Sequence, residues 1–266
     1  MIAQLKDKNK LKEHIQQAVC QMYELVSKNP QSPLHFPVGY KAAMLVGYPE
    51  KLLDALPKQA LESFAGVGYH FQTNLIKKGG WVLDIGSGSG TDLLVASRLT
   101  GEKGKVFGVD ITDAMIEKAR KAAKTNGFSN VKIVKADAEE LPFRDNTFDV
   151  VISNGVINLI PDKQKVFSEI YRVLKPGGVL NIADIVLGKK ISEESRQDPQ
   201  LWAECIVGAS IENRYLETIK KAGFKNIKVI ESFDYFTNSP SENTREVADH
   251  YKAHSIVLKA MKGGEE

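Results

Sequence analysis

Leu11, Ile15, Val19, Met22 and Val26 recur at steps of three and four, which places them on one face of a helix that ends before Asn29-Pro30. That apolar face needs a partner. Residues 30–49 (PQSPLHFPVGYKAAMLVGYP) lose the period and are rich in proline, glycine and aromatics, predicting an ordered but irregular segment. A second helical pattern covers 52–76. From residue 81 the pattern changes to short apolar runs at 81–85, 106–109, 131–134, 148–153 and 179–184, with helical stretches between successive runs except after 134. Such alternation predicts an α/β fold with a parallel sheet covered by helices on both faces. A helix at 199–222 and strands at 227–231 and 255–261 follow, so that a late antiparallel pair closes one edge and brings the sheet to seven strands.

Composition narrows the picture. A chain of 266 residues that is 42% hydrophobic can bury one large core, or one core and a helical cap. Lys+Arg 36 nearly balance Asp+Glu 33 without like-charge blocks, so nothing calls for a nucleic-acid partner. No stretch approaches the roughly 18 consecutive apolar residues of a membrane span, and the opening MIAQLKDKNKLKEH has no apolar leader core. The expectation is a cytoplasmic protein. Cys20 and Cys205 lie far apart and make no metal-binding spacing. His250 and His254 have the i, i+4 spacing of ligands on a helix but no third ligand nearby, and no metal is expected. Nothing in the pattern sets an oligomeric state.

Ligands of such sheets sit at the carboxyl ends of the strands, near the point where strand order reverses. There the chain reads VLDIGSGSGTD. Gly86, Gly88 and Gly90 let the backbone turn sharply and approach a ligand closely. The spacing departs from a dinucleotide G-x-G-x-x-G, and Asp84, two residues before the first glycine, suits an ammonium better than a pyrophosphate. A nucleotide-dependent oxidoreductase is therefore disfavoured. Asp110, followed by Ile111, ends the second strand, where a carboxylate can accept from both ribose hydroxyls. Asp137 and Ala138 follow the third strand, and the fourth ends at Ser153-Asn154.

Taken together, residues 81 to about 185 resemble the class I S-adenosylmethionine-dependent methyltransferases, with a Rossmann-like sheet. The resemblance implies Gly86, Gly88 and Gly90 along the donor's methionine moiety, Asp110 and Ile111 at its ribose, Asp137 and Ala138 at adenine, and Asn154 near the amino group. It divides the chain into an N-terminal helical and irregular cap, 1–76, and a donor-binding domain, 77–266. Phe36, Tyr40 and Tyr48 of the cap are candidates for the acceptor wall.

A finer resemblance, through SNGVINLIPDK and LWAECIVGA, is to the arsenite methyltransferase branch, over roughly residues 47 to 225. That branch implies three cysteines. Gly155 stands at one of their positions and Val67 at another, leaving only Cys205. One thiolate is a poor set for a soft trivalent arsenic centre. A glycine at 155 with Val67 nearby implies instead an enlarged apolar acceptor space, lined also by Tyr69, His70, Asn154, Val156, Trp202 and Cys205. The expected activity is methyl transfer to a small-molecule acceptor other than arsenite. His70, Tyr69 and Cys205 are the candidates for catalytic roles, His70 as a base where the acceptor must lose a proton. An arsenite methyltransferase with a reduced cysteine set, or a non-catalytic protein that binds the donor, are the alternatives.

Overall fold

The computed structural model describes residues 2–202 and 205–264. Among the described residues eight strands occur in chain order: β1 (Trp81–Ile85), β2 (Lys105–Asp110), β3 (Val131–Lys135), β4 (Phe148–Asn154), β5 (Leu174–Leu187), the two-residue β6 (Ser210–Ile211), β7 (Lys225–Phe233) and β8 (Ala253–Met261). Seven of them form the sheet in the order β3-β2-β1-β4-β5-β8-β7, with β6 paired only to the end of β5. β8 runs antiparallel to both β5 and β7, while the other pairs are parallel. The sheet is the α/β arrangement expected from the sequence, and the late pair closes its edge.

Side chains alternate across each strand, so one strand feeds two cores. Val82 packs into the core shared with α5 (Thr91–Thr100) and α6 (Asp113–Thr125), whereas Leu83 and Ile85 join the core beneath α7 (Lys163–Val173) and α10 (Glu212–Lys221). The buried face of α7 is Val166, Phe167, Ile170 and Val173, at steps of one, three and three, and its start is capped by Asp162, which accepts from Lys165 N at 3.0 Å.

The N-terminal region opens with α1 (Ile2–Lys28), which stops one residue before Asn29-Pro30 as its period requires. The single helix expected over 52–76 is not formed. Short helices α2 (Tyr40–Leu45), α3 (Glu50–Asp54) and α4 (Lys58–Leu61) lead instead into an irregular run and a 3-10 turn at His70–Thr73. The reason is local and tertiary: Pro57 starts a new helix, and Asn154 captures the amides of Val67 and Gly68, which a helix would have used internally.

The helix expected over 199–222 is likewise broken. It divides into α9 (Pro199–Trp202), after the short α8 (Glu193–Arg196), and α10, with Cys205 at φ 69° between them. Ala203 and Glu204 of the LWAECIVGA motif lie outside the described residues. A Cβ on Gly208 would sit 2.4 Å from Asn158 O and 2.6 Å from the Trp202 ring, so this glycine is what allows the turn to pack. Finally, α11 (Glu242–Tyr251) ends in Lys252 at φ 51°, which puts His250 on that helix and His254 on β8. The i, i+4 pair therefore does not share a helix face. His254 Nε2 lies 3.1 Å from Glu212 Oε2. Among the described residues no helix is long and apolar enough to cross a membrane.

Candidate ligand cavity

Strand order reverses at β1, whose neighbours β2 and β4 lead away in opposite directions. A cavity spanning about 1050 Å³, part of it open to solvent, lies at the carboxyl ends of these strands. One wall is the turn after β1. Gly86 N and Ser87 N both donate to Val109 O, at 2.8 and 3.0 Å, and Gly90 N donates to Ser87 O at 2.9 Å. Gly86 has φ 68°, and a Cβ there would stand 2.3 Å from Val156 Cγ2. Gly88 is different. Its absent side chain would meet nothing within 4 Å, so the backbone is bare toward the cavity.

Asp84 lines this wall and is 2% exposed, and its Oδ2 has no hydrogen-bond partner among the described residues. Burial first, then the neighbouring Asp92 and Asp110 carboxylates, push its pKa well above the usual carboxylate range. Asp110 closes the next strand end: Oδ2 accepts from Gly88 N at 2.9 Å and Oδ1 from Thr112 N at 2.8 Å. Burial raises its pKa, against those backbone hydrogen bonds. After β3, Asp137 is held by Glu139 N at 2.9 Å and by Gln16 of α1 at 2.8 Å. Despite partial burial its pKa is lowered, by these hydrogen bonds and the Lys12 ammonium.

The cavity thus brings together Asp84, Gly86, Gly88, Asp110, Ile111, Asp137, Ala138 and Asn154, eight of the nine residues that the sequence singles out for donor contact. Gly90 does not line it. Its Cβ position faces Ala119 on α6 at 3.2 Å, and at φ 98° it serves the turn and the helix packing. Asn154 lines the cavity, but its polar atoms are engaged. Oδ1 accepts from Val67 N at 2.7 Å and Gly68 N at 3.2 Å, while Nδ2 lies within reach of Tyr48 OH, Gly68 O and Asp92 Oδ2 at 2.9 to 3.1 Å.

His70, Tyr69 and Cys205 do not line the cavity. His70 is completely buried, neither ring nitrogen has a partner among the described residues, and burial pushes its pKa down from 6.5. The Tyr69 ring packs 4.8 Å from that of Tyr48. Cys205 is buried, and its neighbour Tyr23 does line the cavity. Trp202 is also outside it, donating to Arg196 O at 3.0 Å. The three aromatic residues expected in the wall are elsewhere too. Phe36 packs with Val26 and Met115, Tyr40 is exposed and donates to Asp54, and Tyr48 is buried, donating to Asp92 Oδ1 at 2.5 Å.

The wall opposite the glycine turn comes from residues the sequence did not single out for it: Gln16, Val19 and Tyr23 of α1, and the run from Ser63 to Gly66. The available signal was the polar pair Lys12 and Gln16, one turn apart at the edge of the apolar face that carries Ile15 and Val19. Gly155 and Val67 do meet. A Cβ on Gly155, at φ 70°, would lie 3.1 Å from Val67 Cγ1, so the valine side chain occupies the space beside the missing one. Four carboxylates line the cavity, those of Asp84, Asp92, Asp110 and Asp137, and no lysine, arginine or histidine among the described residues does. Such a lining suits a cationic ligand with hydroxyl and amino groups to donate.

Residues 76–223 match a family model described as a methyltransferase domain. The chain is 40% identical over 148 residues to an arsenite methyltransferase of Halobacterium salinarum, covering 56% of this chain and 38% of that one. It is 44% identical over 111 residues to the ubiquinone/menaquinone biosynthesis C-methyltransferase UbiE of Klebsiella pneumoniae, covering 41% of this chain and 44% of that one. The chain spans less than half the length of these curated relatives. The crystal structure of an arsenic(III) S-adenosylmethionine methyltransferase from Chlamydomonas reinhardtii superposes with a TM-score of 0.65 at 33% identity, covering 85% of this chain and 75% of that one.

Proposed function

We infer, for a chain that belongs to the methyltransferase-domain family, that the cavity binds S-adenosylmethionine and that the protein transfers its methyl group to a small, largely apolar acceptor other than arsenite. The observation that carries the donor reading is the buried Asp84 Oδ2 beside a glycine turn, without a partner among the described residues, in a cavity that those residues line with four carboxylates and no basic side chain. Such a group calls for a cation. The donor's α-ammonium is that cation, with the bare backbone at Gly88 leaving room for the methionine moiety. Asp110 is suited to the ribose hydroxyls, and Asp137 with Ala138 to adenine.

When bound, the sulfonium supplies an activated methyl group. The chain's own work is then mainly to hold the acceptor in line and to keep water out. The run from Ser63 to Gly66 and the Val19 and Tyr23 side chains, which line the same cavity as the glycine turn, are suited to this. Burial pushes the Tyr23 phenol well above its ordinary pKa, so it stays protonated and acts as a hydrogen-bond donor rather than as a base. With His70 buried outside the cavity, no general base is assigned.

The acceptor reading rests on Gly155 and Val67. No cysteine lines the cavity, and the space next to Gly155 is filled by a valine. A soft trivalent arsenic centre finds no thiolate set there. An acceptor carrying a phosphate or carboxylate would also face four lining carboxylates and no lining lysine, arginine or histidine among the described residues. The experiment is S-adenosylhomocysteine production by the wild type with arsenite and excess thiol, beside uncharged phenols and quinols. Background turnover with arsenite is expected; robust arsenite-dependent turnover would overturn the acceptor reading while leaving the donor reading intact. Val67→Cys with Gly155→Cys should gain arsenite binding, because the smaller cysteine at 67 makes room for a side chain at 155.

A further inference from the structure

α1 lies outside the matched family segment, yet it enters the cavity beside Asp137. Gln16 Nε2 donates to Asp137 Oδ2 at 2.8 Å, and Lys12 Nζ stands 3.4 Å from the same oxygen and 2.7 Å from Glu139 Oε2. Asp137 Oδ1 accepts from Glu139 N at 2.9 Å. The carboxylate is therefore gripped from two sides, by its own loop on one oxygen and by α1 on the other. An ionised carboxylate only accepts, at about four lone-pair sites, and roughly three are engaged here. One acceptor site remains on a side chain that lines the cavity.

We propose that Gln16, backed by Lys12, is a positioning residue for donor recognition, holding the Asp137 carboxylate so that its remaining lone pair meets the 6-amino group of the donor's purine. This rests on the reading of the cavity as the donor site. An acceptor-only group fixed in place distinguishes a purine that offers an N–H from one that does not, and it does so only while it is ionised and held. Gln16 fixes the orientation, and the Lys12 ammonium favours the ionised form. On this account a helix outside the methyltransferase core sets part of the donor specificity. The bland alternative is that Gln16 only docks α1 to the domain.

Ratios of affinities separate the two. Wild type, Gln16→Leu and Lys12→Met are titrated with S-adenosylhomocysteine and with its analogue bearing hydrogen in place of the 6-amino group. Wild type should prefer the amino form by roughly tenfold or more. In Gln16→Leu that preference should fall severalfold while affinity for the analogue changes little, and in Lys12→Met it should fall by less. Equal loss of both affinities in Gln16→Leu, with the ratio intact, would overturn the proposal and reduce Gln16 to a docking contact. Should Gln16→Leu fail to fold, Lys12→Met, at a partly exposed side chain, decides by the same ratio. A wild type that binds both forms equally would overturn the proposal alone, whereas one that binds neither would first remove the donor reading.

Discussion

The two walls of the cavity are built by opposite means. The sheet-side wall hangs mainly on backbone: Gly86 and Ser87 donate to the Val109 carbonyl of the adjacent strand, with one side chain, the Asp110 carboxylate at that strand's end, holding Gly88 N. The facing wall is held by side chains that reach far along the chain. Asn154 binds Val67 N across 87 residues, Ser255 Oγ donates to Val67 O across 188, and Gln16 reaches Asp137 across 121. A wall set by backbone geometry changes little without loss of the fold, whereas a wall tied by single side chains can be rebuilt. Gly155 and Val67, the two positions at which the sequence is expected to depart from the arsenite branch, pack against each other, with Gly155 in the cavity lining.

The largest effect should come from the rigid wall. Gly86→Val forces a branched side chain into Val156 at a positive φ, and is expected to abolish S-adenosylhomocysteine binding and to lower the melting temperature sharply. Gly88→Ala points into open space but puts a side chain at φ 51°, so it should cost about 1–2 kcal/mol of stability, far less than Gly86→Val, while binding the donor more weakly. If thermal melts show the two variants equally stable, the contrast between a packed and an open glycine is wrong. The tied wall should yield more gently. Asn154→Ala leaves the amides of Val67 and Gly68 without their acceptor and should cost about 2–4 kcal/mol in denaturant unfolding. A loss near zero would mean that the run from Ser63 to Gly68 is held by other contacts.

The same contrast governs what could be read from the sequence. The strand at 81–85 and the end of α1 were legible because each depends on a short-range period, as did the glycine turn and Asp110. The helices expected at 52–76 and 199–222 were not, since the apolar spacing there serves packing against the rest of the molecule. Asn158 Nδ2 donates to Cys205 O at 2.9 Å, and the buried Lys163 ammonium donates to Asn158 O, Ile160 O and Gly208 O, so the chain near Gly208 is shaped from 45 residues away. Of the residues expected to contact the donor only Gly90 misses the cavity, because its position in the motif is one of backbone conformation. The catalytic candidates were chosen by residue type, and type says nothing of which way a loop turns: His70 faces the core.

His70 also gives the smallest predicted effect. Its pKa is held below 6.5 by burial, so below pH 6.5 the unfolded chain binds a proton that the folded chain does not. The resulting loss of stability is absent above pH 6.5 and grows as pH falls, by at most about 1.4 kcal/mol per pH unit. His70→Phe should remove this acid sensitivity and retain donor binding, as read from unfolding midpoints at pH 7.5 and 5.5. Loss of donor binding in this variant would return His70 to the cavity.

The central claim is that the carboxylates at the strand ends form the donor site, and the direct measurement is calorimetric titration of S-adenosylhomocysteine into wild type and Asp110→Ala. The account predicts one site per chain in the wild type and an affinity weakened by about 1–3 kcal/mol in the folded variant, through loss of a buried acceptor for the ribose. Absence of binding to wild type, or identical affinities for the two proteins, would contradict it.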